Sequence, residues 1–278
     1  MPLDVETLAH GFGLVEGPRM DPDGSLYFSD VTHGGVYRRA PDGSLETVVP
    51  KRKGVGGIAL HAEGGLVISG RDVCHVKDGA TRTLLERPEG VGGFNDLFVD
   101  ATGRVLVGTL RSNPFDLGAE REPGECWRID GEGKATVLYA GVGLSNGIGF
   151  SPDGRTLYHS DTAAGAVLAH DVDADGSVAN RRVFAECDAP DGLAVDAAGG
   201  VWVASYGGGG VVRFDASGRT DRRVEVPAQL VSSCCFGGED LRDLVVTSQD
   251  NTEAPERRGS IFRLRTDLPG LPPPLARV

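Results

Sequence analysis

Residues 143–162, "GLSNGIGFSPDGRTLYHSDT", hold two short apolar runs on either side of an "SPDG" turn, the signature of a strand pair joined by a tight reversal. The first run opens on Asn146, whose side chain favours turns over strands. Its spacing explains it. Asn146 stands eight residues before the turn glycine Gly154, and the same interval separates Glu16 from Gly24, Gly56 from Gly64, Asn95 from Gly103 and Asp191 from Gly199. A sixth segment, "VSSCCFGGEDLRDLVVTS", aligns Phe236 with Phe150 and so sets Ser232 opposite Asn146, with a longer turn.

Each of the six segments continues into a second apolar run ("SLYFSD", "GLVISG", "RVLVGT", "TLYHSD", "GVWVAS", "DLVVTS") and a third, and five continue into a fourth. The turn glycines recur every 39 to 51 residues, the length of a four-stranded propeller blade and too long for leucine-rich or β-helix coils. The sixth repeat has no fourth strand of its own. The N-terminal "DVETLAH" can supply it and close the ring without leaving a free sheet edge. The expectation is an all-β chain: a six-bladed β-propeller of four-stranded blades, one domain over residues 1–278, with the N-terminal strand completing the last blade.

Because first strands lie nearest the axis of a propeller, the shared position becomes a ring around the channel. It holds Glu16, Gly56, Asn95, Asn146, Asp191 and Ser232, on the face opposite the "PDG" turns. Two carboxylates beside one axis repel each other unless a cation joins them. Hard oxygen donors of the Glu, Asn and Asp type suit a divalent ion, Ca2+ above all, and the lack of His and Cys in the ring argues against zinc or copper. The competing expectation is that Asn and Asp at strand starts bond only to nearby turn amides.

Composition agrees with that partner. Forty acidic against 28 basic residues give a net charge of −12, which disfavours a phosphate backbone as ligand. No apolar run approaches the roughly 20 residues of a membrane span, and "MPLDVETLAH" lacks the pattern of a signal peptide, so a cytoplasmic protein with a small-molecule substrate, without nucleic-acid or membrane partners, is expected. Cys74, Cys126, Cys187, Cys234 and Cys235 are odd in number and show no CxxC spacing, which reads as reduced, mostly buried thiols.

The loops after the second strands surround the channel mouth. Two are long, residues 111–125 and 248–259. His33 lies in a shorter mouth loop, where it is solvated or relays protons; His159 sits within a strand, as a packing residue. "YGGGG" lacks the Lys-Ser/Thr of a phosphate loop, and "DVDADG" at residues 171–176 lacks the distal Glu of a calcium loop.

The blocks "EGPRMDPDGSLYFSD", "FNDLFVDATGRVLVGTL", "LSNGIGFSPDGRTLYHSDT" and "PDGLAVDAAGGVWVAS" resemble those of the senescence marker protein / gluconolactonase / luciferin-regenerating enzyme family, from Leu14 to about Leu264. The resemblance implies a six-bladed propeller with one divalent cation, Ca2+ or in its place Zn2+, Mg2+ or Mn2+, held by Glu16, Asn146 and Asp191. It also implies a substrate-binding role for Asn95 and a general-base role for Asp191, in hydrolysis of a lactone or related small ester. Gly93 departs from the pattern, since sugar-lactone members commonly carry an Arg two residues before the "ND". Phosphotriester hydrolysis or dehydration/isomerisation of a sugar-like compound are the alternatives on the same metal cup. A non-catalytic binding propeller with a structural calcium is the alternative of another class.

Overall fold

The computed structural model describes residues 4–115 and 122–278. Six four-stranded antiparallel sheets follow one another along the chain. Blade one is typical: Val15–Met20, Leu26–Asp30, Val36–Arg39 and Leu45–Val49 run from the axis outward. Blade six takes Val231–Gly237, Asp243–Ser248 and Gly259–Arg265 from its own repeat, and its outer strand is the N-terminal Glu6–Phe12, paired antiparallel to Gly259–Arg265 with Thr7 opposite Phe262. The expected six-bladed architecture, its four-stranded blades and its non-covalent closure are all present.

Burial falls outward across each blade. In blade five Pro190–Val195, Val201–Ser205 and Gly210–Phe214 are almost wholly buried, whereas Thr220–Glu225 is mostly exposed. Inner strands are sandwiched between neighbouring blades on both faces, so they read as continuous Val/Leu/Ile/Trp runs; outer strands are exposed over most of their length and carry polar and charged residues. The core is therefore a set of inter-blade layers. Trp202, Cys234, Phe236, Val246 and Phe262 form one between blades five and six, and Val67, Phe94, Leu97, Val105 and Val107 another between blades two and three. All five cysteines are buried free thiols, and burial raises Cys74, Cys126, Cys187, Cys234 and Cys235 above the ordinary thiol range, in keeping with packing residues.

The turns after the first strands work through their glycines and a side-chain acceptor at the turn. Gly24, Gly64, Gly103, Gly154 and Gly199 all have φ between +69° and +92°, a region costly for a side chain, and the Asp23 carboxylate accepts the Ser25 amide at 2.7 Å. Among the described residues the single helical element is a 3-10 turn, Pro255–Arg257, and no helix is long and apolar enough to cross a membrane.

Candidate metal and active site

Five of the six first strands break their pairing register beside the ring position: between Glu16 and Arg19, Phe94 and Leu97, Ser145 and Ile148, Pro190 and Leu193, and Val231 and Ser233. A bulge adds one residue, bends the strand and re-aims the side chains around it. The ring residues Glu16, Asn146 and Asp191 are each followed by glycine because adjacent first strands meet there backbone to backbone. A Cβ at Gly147 would come 2.4 Å from the Leu193 nitrogen, and one at Gly57 would come 2.3 Å from the Leu97 nitrogen. Blade three breaks this pattern with Asp96, and there a third carboxylate enters the channel.

Glu16, Asn146 and Asp191 are all buried, between 7% and 9% exposed. Burial raises the Glu16 carboxyl well above the ordinary range, and the charges of Asp191 and Asp96 raise it further. Burial, then the charge of Asp96, raises Asp191 likewise. Asp96 is pushed up by burial to about 6, with Arg19 pulling it back. The Arg19 guanidinium lies 3.9 Å from Asp96, donates to the Leu97 and Pro18 carbonyls at 3.1 Å each, and covers the Phe98 ring. With all three carboxyls ionised, one guanidinium would leave two negative charges in a desolvated channel, the charge that one divalent cation would balance, and the oxygen-rich donor set fits a hard ion. Among the described residues no cluster of three or more His, Cys, Asp or Glu side chains is poised to hold a metal, so a site here depends on carboxamide oxygens as well as carboxylates.

The two asparagines are oriented by hydrogen bonds. Asn95 Nδ2 donates to the Ser145 carbonyl at 2.8 Å and to Asn146 Oδ1 at 2.5 Å; Asn146 Nδ2 donates to Thr162 Oγ1 at 2.7 Å. With its amide nitrogen committed twice, Asn95 has only Oδ1 left to offer, as an acceptor. That oxygen occupies the space of an absent side chain: a Cβ on Gly56 would lie 2.2 Å from it. The glycine at the blade-two ring position thus makes room for Asn95. Gly56→Ala is expected to displace the Asn95 carboxamide and to lower stability by ~1–3 kcal/mol, as overpacking does. An unchanged melting temperature and unchanged activity would show that the space is slack.

Ser232 does not face the channel as its register suggests. Its side chain is fully buried, donates to the Val15 carbonyl at 2.6 Å and meets Thr247 Oγ1 at 3.0 Å, so it ties blade six to blade one. The shift between Val231 and Ser233 turns it into the blade contact. His33 spends Nδ1 on the Asp30 carboxylate, 2.9 Å away. His159 is fully buried, with Nε2 2.7 Å from Ser145 Oγ and Nδ1 2.7 Å from the Tyr139 hydroxyl, a polar member of the blade-four core.

At the mouth, Tyr206 follows the second strand of blade five, in the "YGGGG" stretch whose sequence shows only that it is no phosphate loop. Its phenol is pushed up to about 12 by burial and by the charges of Asp191, Glu16 and Asp250, so it stays protonated, and its hydroxyl donates to Gln249 Oε1. Gln249 belongs to the long loop 248–259, which is built rather than slack: Asn251 is buried, accepts the Ala254 amide and donates to Ser260 Oγ. The other long loop carries an ion pair between Arg111 and Glu125, with Thr109 donating to the same carboxylate; its residues 116–121 lie outside the described residues. The opposite face has a cavity of about 920 Å³, lined by the far ends of first strands (Met20, Val99, Phe150, Phe236) and by Leu271–Pro274. Of the channel groups described above, Arg19 lines it, whereas Glu16, Asp96, Asn146 and Asp191 do not.

Fold and site together define a six-bladed propeller with an acidic, oxygen-lined cup on its axis. The family model for the SMP-30/Gluconolactonase/LRE-like region matches residues 14–250, and the chain belongs to that family. It is 35% identical over 268 residues to a 6-deoxy-6-sulfogluconolactonase of Pseudomonas putida, covering 90% of each chain. It is 33% identical over 278 residues to the pentonolactonase XacC of Haloferax volcanii, covering 93% of each. Among solved structures, a calcium-binding protein, regucalcin, of Agrobacterium tumefaciens superposes with a TM-score of 0.87 at 25% identity, covering 100% of this chain and 99% of that one.

Proposed function

We propose that the protein is a divalent-metal-dependent lactonase, opening the ring of a sugar-acid lactone or related small ester, with the cation held by Glu16, Asn146 and Asp191. The observation that carries the reading is the pair of carboxyls Glu16 and Asp191, both raised first by burial, Glu16 further by Asp191 and Asp96 and Asp191 further by Asp96, at ring positions shared with the buried carboxamide of Asn146. Relatives that act on sulfogluconolactone and pentonolactone support the substrate class, and the resemblance to a calcium-binding regucalcin supports Ca2+.

When bound, the cation supplies Lewis acidity for the ester carbonyl and the positive charge that lets Glu16 and Asp191 ionise together. Asp191 then acts as the general base. Its carboxylate accepts a proton from the attacking water as the new C–O bond forms, and returns it to the ring oxygen as the ester C–O bond breaks. Asn95 Oδ1, an acceptor only, takes a hydrogen bond from that water or from a substrate hydroxyl. Tyr206, held protonated, spends its one proton on Gln249 Oε1 and so fixes that side chain of the long loop at the mouth.

The test is turnover of protein stripped by chelator and reloaded with Ca2+, Zn2+, Mg2+ or Mn2+ on gluconolactone, a pentonolactone, γ-butyrolactone and a phosphotriester. Lactone opening restored by metal is expected. Metal binding without any turnover would instead favour a structural ion, and turnover of the phosphotriester alone would favour the phosphoryl reading. Gly93 bears on substrate choice, because no guanidinium stands where sugar-lactone members commonly carry one. Gly93→Arg is expected to raise gluconolactone turnover relative to γ-butyrolactone by on the order of tenfold, the worth of one charge-assisted hydrogen bond. A Cβ there comes 3.1 Å from the Gly70 carbonyl, so the strand must yield slightly. An unchanged ratio would mean that the long loops govern recognition.

A further inference from the structure

An asparagine serves a cation only with its oxygen turned inward; rotated by half a turn, it presents an NH2 group that repels the ion. Something must select between the two. At Asn146 the selection is made by a chain of hydrogen bonds across three blades. The Thr162 hydroxyl donates its single proton to the Pro190 carbonyl at 2.6 Å, so toward Asn146 its oxygen can only accept, and it accepts Nδ2 at 2.7 Å. On the other side Asn95 Nδ2 donates to Asn146 Oδ1 at 2.5 Å and to the Ser145 carbonyl at 2.8 Å. Both ends of the chain are backbone carbonyls, which only accept. Every bond between them therefore has one allowed direction, and Asn146 Oδ1 must face away from Thr162.

From this geometry we infer that Thr162 is a positioning residue for the cation, acting through Asn146 and, by its bond to the carbonyl preceding Asp191, through Asp191 as well. The inference rests on the metal reading of the cup. Thr162 itself lies at the start of the turn after the second strand of blade four, its amide bonded to the Leu144 carbonyl at 3.0 Å, so its backbone is held independently of the hydroxyl. Removing the hydroxyl leaves the Asn146 amide without its donor-side partner and held by Asn95 alone, without dismantling the turn.

Two variants separate the hydroxyl from the methyl group. Thr162→Val keeps the shape and removes both bonds; Thr162→Ser keeps both bonds and removes the methyl. Calcium affinity measured by titration calorimetry is expected to fall roughly tenfold or more in Thr162→Val, the scale for an outer residue that orients a metal ligand, and to stay within about threefold of the wild type in Thr162→Ser. In the chelated protein, the side-chain amide resonances of Asn146 should move and lose protection from exchange in Thr162→Val alone. Equal calcium affinity in Thr162→Val and wild type, or an equal loss in Thr162→Ser, overturns the inference. If the wild type binds no divalent ion, the metal reading falls, and the amide resonances still decide whether Thr162 orients Asn146.

Discussion

Asp191→Asn is expected to lose roughly 100-fold or more in lactone turnover at saturating metal, the scale usual for a general base, while still binding the cation. An asparagine in this place keeps an oxygen for the ion but cannot take a proton from water at neutral pH. The charge balance of the channel makes the saturation condition necessary. With the cation bound and all three ionised, Glu16, Asp96 and Asp191 against Arg19 carry two net negative charges, and the substitution removes one of them, so affinity falls along with turnover. Measuring the rate as calcium is raised separates the two losses: a rate that returns to the wild-type level identifies Asp191 as a ligand only. Asn146→Ala should behave in the opposite way, with weakened binding and activity partly restored by excess cation.

Chelation is expected to abolish turnover and to lower the melting temperature by an amount that grows as the pH rises from 5 to 8. A carboxyl group whose pKa is raised by folding contributes stability below its unfolded value, near 4, and loses it as the pH climbs through the folded value. For Asp96 that value is about 6, and Glu16 and Asp191 are raised by the same burial and by their neighbours' charges. The chelated protein therefore weakens toward neutral and alkaline pH, and calcium reverses that loss by compensating the charges. At a free calcium concentration about 100 times Kd the gain is ~2.7 kcal/mol. His159 and His170 act in the other direction: burial lowers them to about 3 and about 4, so their contribution is present above the ordinary His value and is lost as the pH falls through the folded ones, with or without calcium. Thermal melts in chelator and in excess calcium across this range isolate the carboxylates from the histidines. A calcium shift that is the same at every pH would mean that the ion does not sit among these groups.

Much of this was legible in a linear pattern. The eight-residue interval from ring position to turn glycine returned in five repeats, and each of those repeats is a blade of its own. "DVETLAH" was readable as the missing outer strand because a ring must close and one repeat was a strand short. Asp96 also left a trace that went unread: it stands where blades one, two, four and five have glycine, at a point where strands meet too closely for an ordinary side chain.

The sequence by itself determined the number of blades, the closure, and the placement of Glu16, Asn146 and Asp191 at equivalent points around one axis, because a repeat in the chain becomes a rotation in space. The tertiary structure alone decided where the side chains point and which way their hydrogen bonds run. Ser232 shares the register yet turns to the Val15 carbonyl; Asn95 is left with an oxygen to offer because the Ser145 carbonyl and Asn146 take its amide protons; Thr162 and Tyr206 join the site from turns that no period marks. The physical reason is that register fixes the position of a Cα, whereas the direction of a side chain beside a bulge, and the polarity of an amide, are set by the neighbouring blade, whose contacts are made only when the ring has closed.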